Sequence, residues 1–190
     1  MPVPSPDTSA SLLDQARGRA AGAWERLVAL YTPLLEVWLT AAGLQPADRE
    51  DLTQRVLEIL VRRLPGFEHS GRTGAFRAWL RGIAVNLLRE FWRARPGPAA
   101  DSALDQVRDP DGGLSCLWDE QHDRHVLHAL MDLVRPEFSE PAWRAFRRLA
   151  LDGAPARTVA AELGQSVNAV LIAKSRVLAR LRLEAQGLVE

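Results

Sequence analysis

The chain has 190 residues and 47% hydrophobic side chains, enough for one domain or two small ones and too apolar for wholesale disorder. Its 24 Lys or Arg balance 24 Asp or Glu, yet residues 1–95 hold 13 Arg against 10 acids, 96–135 hold 3 against 8, and 136–190 hold 8 cations against 6. Two mildly basic ends around an acidic middle suggest two polyanion-binding modules and a connector that does not bind polyanions.

The first residues, MPVPSPDTSA, are Pro-rich and lack a charged-then-apolar signal pattern. Ser9 or Ser11 can cap a short helix, Leu12 to Arg17. Gly22 to Ala42 reads as a helix with Trp24, Leu27, Val28, Tyr31, Leu34, Leu35 and Trp38 near helical spacing, kinked at Pro33. The apolar region Leu27 to Leu44 is broken by Thr32, Pro33 and Glu36, too interrupted to span a bilayer. With Cys116 as the only cysteine, no intrachain disulfide can form, and the expectation is a soluble cytoplasmic protein.

Pro46 fits the first turn of a third helix running to about Leu64, with Asp48, Glu50 and Asp51 favoured by its dipole. Leu52, Val56, Ile59 and Leu60 form its core stripe. Asp51, Gln54, Leu57, Glu58 and Val61 share the far side, either a docking site for a partner or a face covered by another helix of the same domain.

A loop over 66–74 leads to Thr73, a suitable cap for the helix that follows, TGAFRAWLRGIAVNLLREFWRAR. At 100° per residue Phe76, Leu80, Ile83, Leu87 and Phe91 share a core stripe. Arg77, Arg81, Arg89 and Arg93 lie opposite, with Asn86, Leu88 and Trp92 among them. Cations for phosphates, interleaved with flat or apolar groups for unstacked bases, suit single-stranded nucleic acid, although a merely wet amphipathic face can look alike.

Pro96 to about residue 118 reads as a flexible acidic linker rich in Pro, Gly, Ala and Asp. A helix resumes near Leu117 and ends at Pro136. Its His122, His125 and His128 are three apart, which spreads the outer pair about 240° around a helix and reads as a solvated face, not a metal site.

Ser139 can cap a helix to about Leu151, Pro155 opens a short one ending at Leu163, and a longer one runs from Val167 to about Gln186. The turn Gly164-Gln165-Ser166 supplies a left-handed C′ glycine and an N-cap. Short helix, three-residue turn, longer helix is the helix-turn-helix layout, or a plain helical hairpin. Val167, Val170, Leu171, Val177, Leu178 and Leu181 are the expected core stripe of the last helix; Asn168, Ala169, Ile172, Ala173, Arg176 and Arg180 point away. That outward set suits base edges, thymine methyls and phosphates. No alternating strand pattern occurs, so the expected fold is all-α, with helical domains over 10–95 and 119–186 joined by the linker 96–118.

Four stretches in order, AWERLVALYTPLL (23–35), ADREDLTQRVLEIL (47–60), FRAWLRGIAVNLLREFWRAR (76–95) and DGAPARTVAAELGQSVNAVLIAKSRVLARLR (152–182), resemble bacterial sigma factors of the sigma-70 family, extracytoplasmic-function class. The AKSRVLARLR ending is similar to a planctomycete-type subgroup. The resemblance implies region 2 over 10–95 and region 4 over 119–186. Asp51, Gln54, Leu57 and Glu58 would then grip the clamp helices of the largest subunit of core RNA polymerase. The helix 76–95, with Arg77, Arg81, Asn86, Arg89, Trp92 and Arg93, would open and read the −10 element, Asn86 contacting flipped-out bases. Asn168, Ala169, Ile172, Arg176 and Arg180 would read the −35 element. It implies promoter DNA and polymerase as partners, leaves room for an anti-sigma factor, and requires no cofactor and no catalysis by this chain.

The sequence departs from that pattern at Leu171 and Ala173, where many members carry basic residues, and at Lys174, expected to snorkel from an otherwise apolar core position. Fewer cations there predict a shallower salt dependence for this module. Two other readings stand beside this one. A helix-turn-helix regulator that never joins polymerase needs a dimer interface or a sensor domain, and neither is visible. A metal-dependent enzyme built on the His triplet lacks a nucleophile with its base, a phosphate loop and a further ligand set.

Overall fold

The computed structural model describes residues 11–68, 74–95, 97–108 and 112–189. Among them are nine α-helices and no strand: α1 (Leu12–Arg17), α2 (Ala23–Ala41), α3 (Pro46–Arg63), α4 (Ala75–Arg93), α5 (Pro98–Arg108), α6 (Gly113–Val134), α7 (Glu140–Phe146), α8 (Ala156–Leu163) and α9 (Val167–Ala185). Local chemistry sets many of these limits. The Ser11 side chain accepts the Asp14 N–H at α1, and Pro46 occupies the first turn of α3. Helix α2 continues through Pro33. The proposed caps Ser9 and Thr73 lie outside the described residues, as does most of the loop 66–74.

Two compact units emerge, residues 1–126 with 186–190, and residues 127–185. In the first, α2, α3 and α4 pack in sequence, with α1 on α2 and α5 turned back on α4. Leu27, Tyr31, Leu35, Trp38, Leu52, Val56, Leu60, Phe76 and Leu80 are buried to 2% exposure or less. A fully buried Leu or Phe contributes about 1.5–3 kcal/mol, so these side chains dominate the unit's stability.

The stretch 96–118, expected to be a flexible linker, is instead largely helical: α5 fills 98–108 and α6 starts at Gly113. The boundary between units falls after Val126, inside α6, and not at 118. The cause lies in the first half of α6. Trp118, fully buried, packs edge-on against Trp38 with ring centroids 5.5 Å apart, and the Trp38 Nε1–H donates to the Leu114 carbonyl at 2.9 Å.

In the second unit, α7 and α8 pack on α9. Ala145, Leu149, Val159, Ala160 and Val170 form a small core, and on α7 the rings of buried Trp143 and Phe146 meet tilted by 46° with centroids 5.2 Å apart. Residues Arg147–Leu151 widen into a π-helical turn before Asp152 ends the segment. Gly164 takes the left-handed conformation, φ 63°, that closes α8, and Ser166 Oγ accepts the Ala169 N–H at 3.1 Å to open α9.

Candidate docking groove and nucleic-acid faces

On the first unit, α2 and α3 border an open, mostly apolar groove of about 790 Å³, lined by Val28, Thr32, Leu57 and Val61, with Glu36, Glu50, Gln54 and Glu58 at its rim beside Arg19 and Arg62. Leu57 is half-buried, while Gln54, Glu58 and Asp51 are exposed; Asp51 does not line the groove. Val61 is 41% exposed, so among the described residues no helix covers its face of α3. Thr53, unnoticed in the sequence because it sits on the core stripe, adds a buried hydroxyl without a protein partner to the groove wall.

Helix α4 buries the expected stripe and more. Ala84 and Leu88 are fully buried as well, so Leu88 does not stand among the arginines as expected. With α3 and α5 both packed on it, α4 hides a wider arc than a single-faced helix. Trp92 is half-buried, lying edge-on to Phe91 at 5.0 Å with its indole N–H enclosed. Asn86 and Arg93 are exposed and Arg89 is half-buried.

Arg77 and Arg81 are not open to solvent partners as expected. Arg77 Nη1 donates to both carboxylate oxygens of Asp123 at 2.9 Å, and its Nε lies 3.3 Å from Asp119. Arg81 reaches Asp119 at 3.8 Å. Gly74, at φ 73°, leaves room for the Arg77 guanidinium to fold back; a Cβ there would meet Nη2 at 3.0 Å. The acids come from α6, within the acidic stretch 96–135 read as not binding polyanions itself.

His122 explains how α6 is held. It was expected on a solvated face, yet it is fully buried, with Nε2 3.2 Å from Tyr31 Oη and Nδ1 3.0 Å from Asp123. Burial, with the Asp123 charge adding to it, raises the Tyr31 hydroxyl above its ordinary range, so it remains a donor. Burial lowers the His122 imidazole and keeps it neutral. Tyr31 O–H therefore donates to Nε2, and Nδ1–H donates to Asp123. Burial opposes ionisation of Asp123, but its bonds from His122 and Arg77 outweigh that and hold its carboxyl below the usual range. A chain of polar contacts thus runs from the core hydroxyl of Tyr31 to the surface arginine of α4. His125 Nε2–H donates to the Leu30 carbonyl at 2.6 Å, and His128 is exposed. Among the described residues no cluster of His, Cys, Asp or Glu could hold a metal ion.

On the second unit, α9 presents Asn168, Ala169, Ile172 and Arg176 outward. The last three, with Ala173, Phe138 and Ser139, border a groove of about 560 Å³. Arg180 is tied within the unit and not offered to DNA: it forks onto Glu137 at 2.7 and 3.0 Å and pairs with the fully buried Glu184. Burial works against its charge, but the two glutamates outweigh it and raise its pKa. Lys174 is half-buried. Val167 and Leu171, expected in the core, are 38% and 45% exposed. Helix α8 has only eight residues, and of the first turn of α9 only Val170 reaches its core.

Among the described residues no helix is long and apolar enough to cross a membrane. No protein-family model matches the sequence, and no curated protein matches it.

Proposed function

We propose that the chain is a transcription initiation factor that joins core RNA polymerase and carries it to −10 and −35 promoter elements. The observation that carries this reading is the apolar groove between α2 and α3, whose charged rim holds Glu36, Glu50 and Glu58 beside Arg19 and Arg62, on the same chain as the short helix α8, glycine turn and longer helix α9. Half-buried Leu57 and exposed Val61 offer an apolar centre, with Asp51, Gln54 and Glu58 on the same helix to pair with cations and backbone donors of a helical partner.

Helix α4 supplies the strand-capturing face, with exposed Asn86 and Arg93 and half-buried Arg89 and Trp92. Unstacking a base step costs a few kcal/mol, which captured bases and phosphate contacts offset. Arg77 and Arg81 join only when phosphates displace Asp119 and Asp123. The exposed face of α9 is the −35 reader. Polymerase fixes the spacing of the two modules, so the chain alone binds duplex promoter weakly.

A second reading, a helix-turn-helix regulator that acts without polymerase, draws on the internal pairing of Arg77 and Arg81. Co-sedimentation with core polymerase separates the two. The expected result is a stoichiometric complex that Leu57→Arg weakens at least about thirtyfold, the scale of a buried interface anchor. No complex with the folded wild-type chain would sink the first reading.

A further inference from the structure

We propose that the outward face of α9 reads an A·T-rich duplex through thymine methyl groups and an adenine-directed amide, with no guanine contact in its first two turns. The inference rests on reading α9 as a DNA-contacting helix, and it names the class of upstream element that helix selects.

From Val167 to Ala173 α9 holds no charged side chain. Guanine offers the major groove two acceptors, O6 and N7, and the side chains that take both are Arg and Lys. The first cations on α9 are Lys174, half-buried, and Arg176, exposed on the side of Ile172 but in the third turn. Two further arginines of the unit are held by acids: Arg148 by Glu162 at 2.8 and 3.0 Å and Asp152 at 3.1 Å, Arg180 by Glu137 and Glu184. What reaches out instead is branched and apolar. Leu171 and Ile172 are 45% and 43% exposed, and Val167 is 38% exposed.

Asn168 and Ser175 are exposed on the same side, about 40° and 60° around the helix from Ile172 and about a turn from it. An amide satisfies adenine N6 and N7 together, a hydroxyl serves any base edge, and aliphatic carbons suit the thymine C5-methyl. Exposed Arg176 follows this neutral stretch in the next turn of the helix, where a phosphate beside the read base edges would meet it. A protein partner would also accept the apolar carbons, but not the interleaved amide and hydroxyl as readily.

The test is a selection by the full chain with core polymerase from duplex promoters randomised upstream of a fixed downstream element. The expected product is A·T-rich, and replacing its thymines with deoxyuridine lowers retention about fivefold, the loss of one or two buried methyl contacts. Leu171→Ser with Ile172→Ser makes thymine and deoxyuridine equivalent while the helical circular dichroism stays unchanged. A G·C-rich product, or wild-type indifference to the thymine methyl, overturns the inference while leaving polymerase binding intact. Where co-sedimentation shows no polymerase complex, the selection is repeated with the chain alone. A methyl-dependent A·T product then supports the inference without the initiation-factor reading, and failure to retain any duplex overturns it.

Discussion

Helices α4 and α9 invert each other. Helix α4 is rich in arginine, and two of its arginines are already bound to acids of its own unit. Helix α9 exposes the outward face of its first two turns and carries no charge there. Counting cations along a sequence measures neither situation. What decides whether an arginine can meet a phosphate is the carboxylate nearest to it in space. For Arg77 that carboxylate is 46 residues away. Basic composition thus marks α4 as a candidate but guarded face, and exposure marks α9 as an available but nearly neutral one.

The strongest way to break this contrast is Trp118→Ala. Emptying that site removes the wedge that seats α6 against Trp38, at an expected cost of about 3–5 kcal/mol in thermal unfolding of the first unit. A loss below 1 kcal/mol would show that α6 is not anchored there. Asp119→Asn with Asp123→Asn leaves the apolar anchor in place and removes only the charges. Each partner acid is about half exposed, so each pair contributes no more than about 1 kcal/mol. Fluorescence anisotropy should accordingly show the single-stranded DNA affinity of the full chain rising about tenfold. An unchanged affinity would mean that α4 does not bind nucleic acid through Arg77 and Arg81.

On α9 the effects are smaller. Arg176→Ala should weaken promoter binding by the polymerase complex a few-fold across all sequences and reduce the salt slope by about one, without changing base preference. A changed preference would make Arg176 a base reader. The smallest effect is in pH. His122 titrates below its ordinary value in the folded unit, so the unfolded chain takes up the proton first as pH falls. Stability is full above about pH 6.5 and declines as pH drops from there toward the depressed folded value. The groups facing it are Tyr31, Asp123, Arg77 and Asp119, and Asp123, itself depressed, adds its own loss only below about pH 4. Chemical unfolding between pH 7.5 and 5.5 should show that decline, and His122→Gln should flatten it.

Much of the fold was legible because its signals are local. Ser11, Pro46, Gly164 and Ser166 mark helix ends by their own backbone and hydrogen-bonding needs. Phe76, Leu80, Ile83, Leu87 and Phe91 mark the core face of α4 by spacing alone. Two features had a signal that composition masked. Ala100, Leu104 and Val107 keep helical spacing inside the Pro- and Asp-rich stretch that became α5. His122 stands on the stripe Leu114, Trp118, Val126 and Leu130, all buried, so its neighbours at i−4 and i+4 announced burial while the His triplet drew attention to a wet face.

The remainder depends on tertiary partners that no window contains. Leu88 is buried because α4 has several neighbours, and Val167 is exposed because α8 is short. Arg77, Arg81 and Arg180 look identical in sequence to free phosphate ligands until Asp119, Asp123, Glu137 and Glu184 are placed beside them.

Run-off transcription with purified core polymerase, over a promoter recovered by selection, tests the central claim most directly. The account predicts a discrete transcript that requires the chain, falls at least about tenfold with Asn86→Ala through lost capture of an unstacked base, and disappears with Leu57→Arg. A folded chain that yields no transcript above core polymerase alone would contradict it.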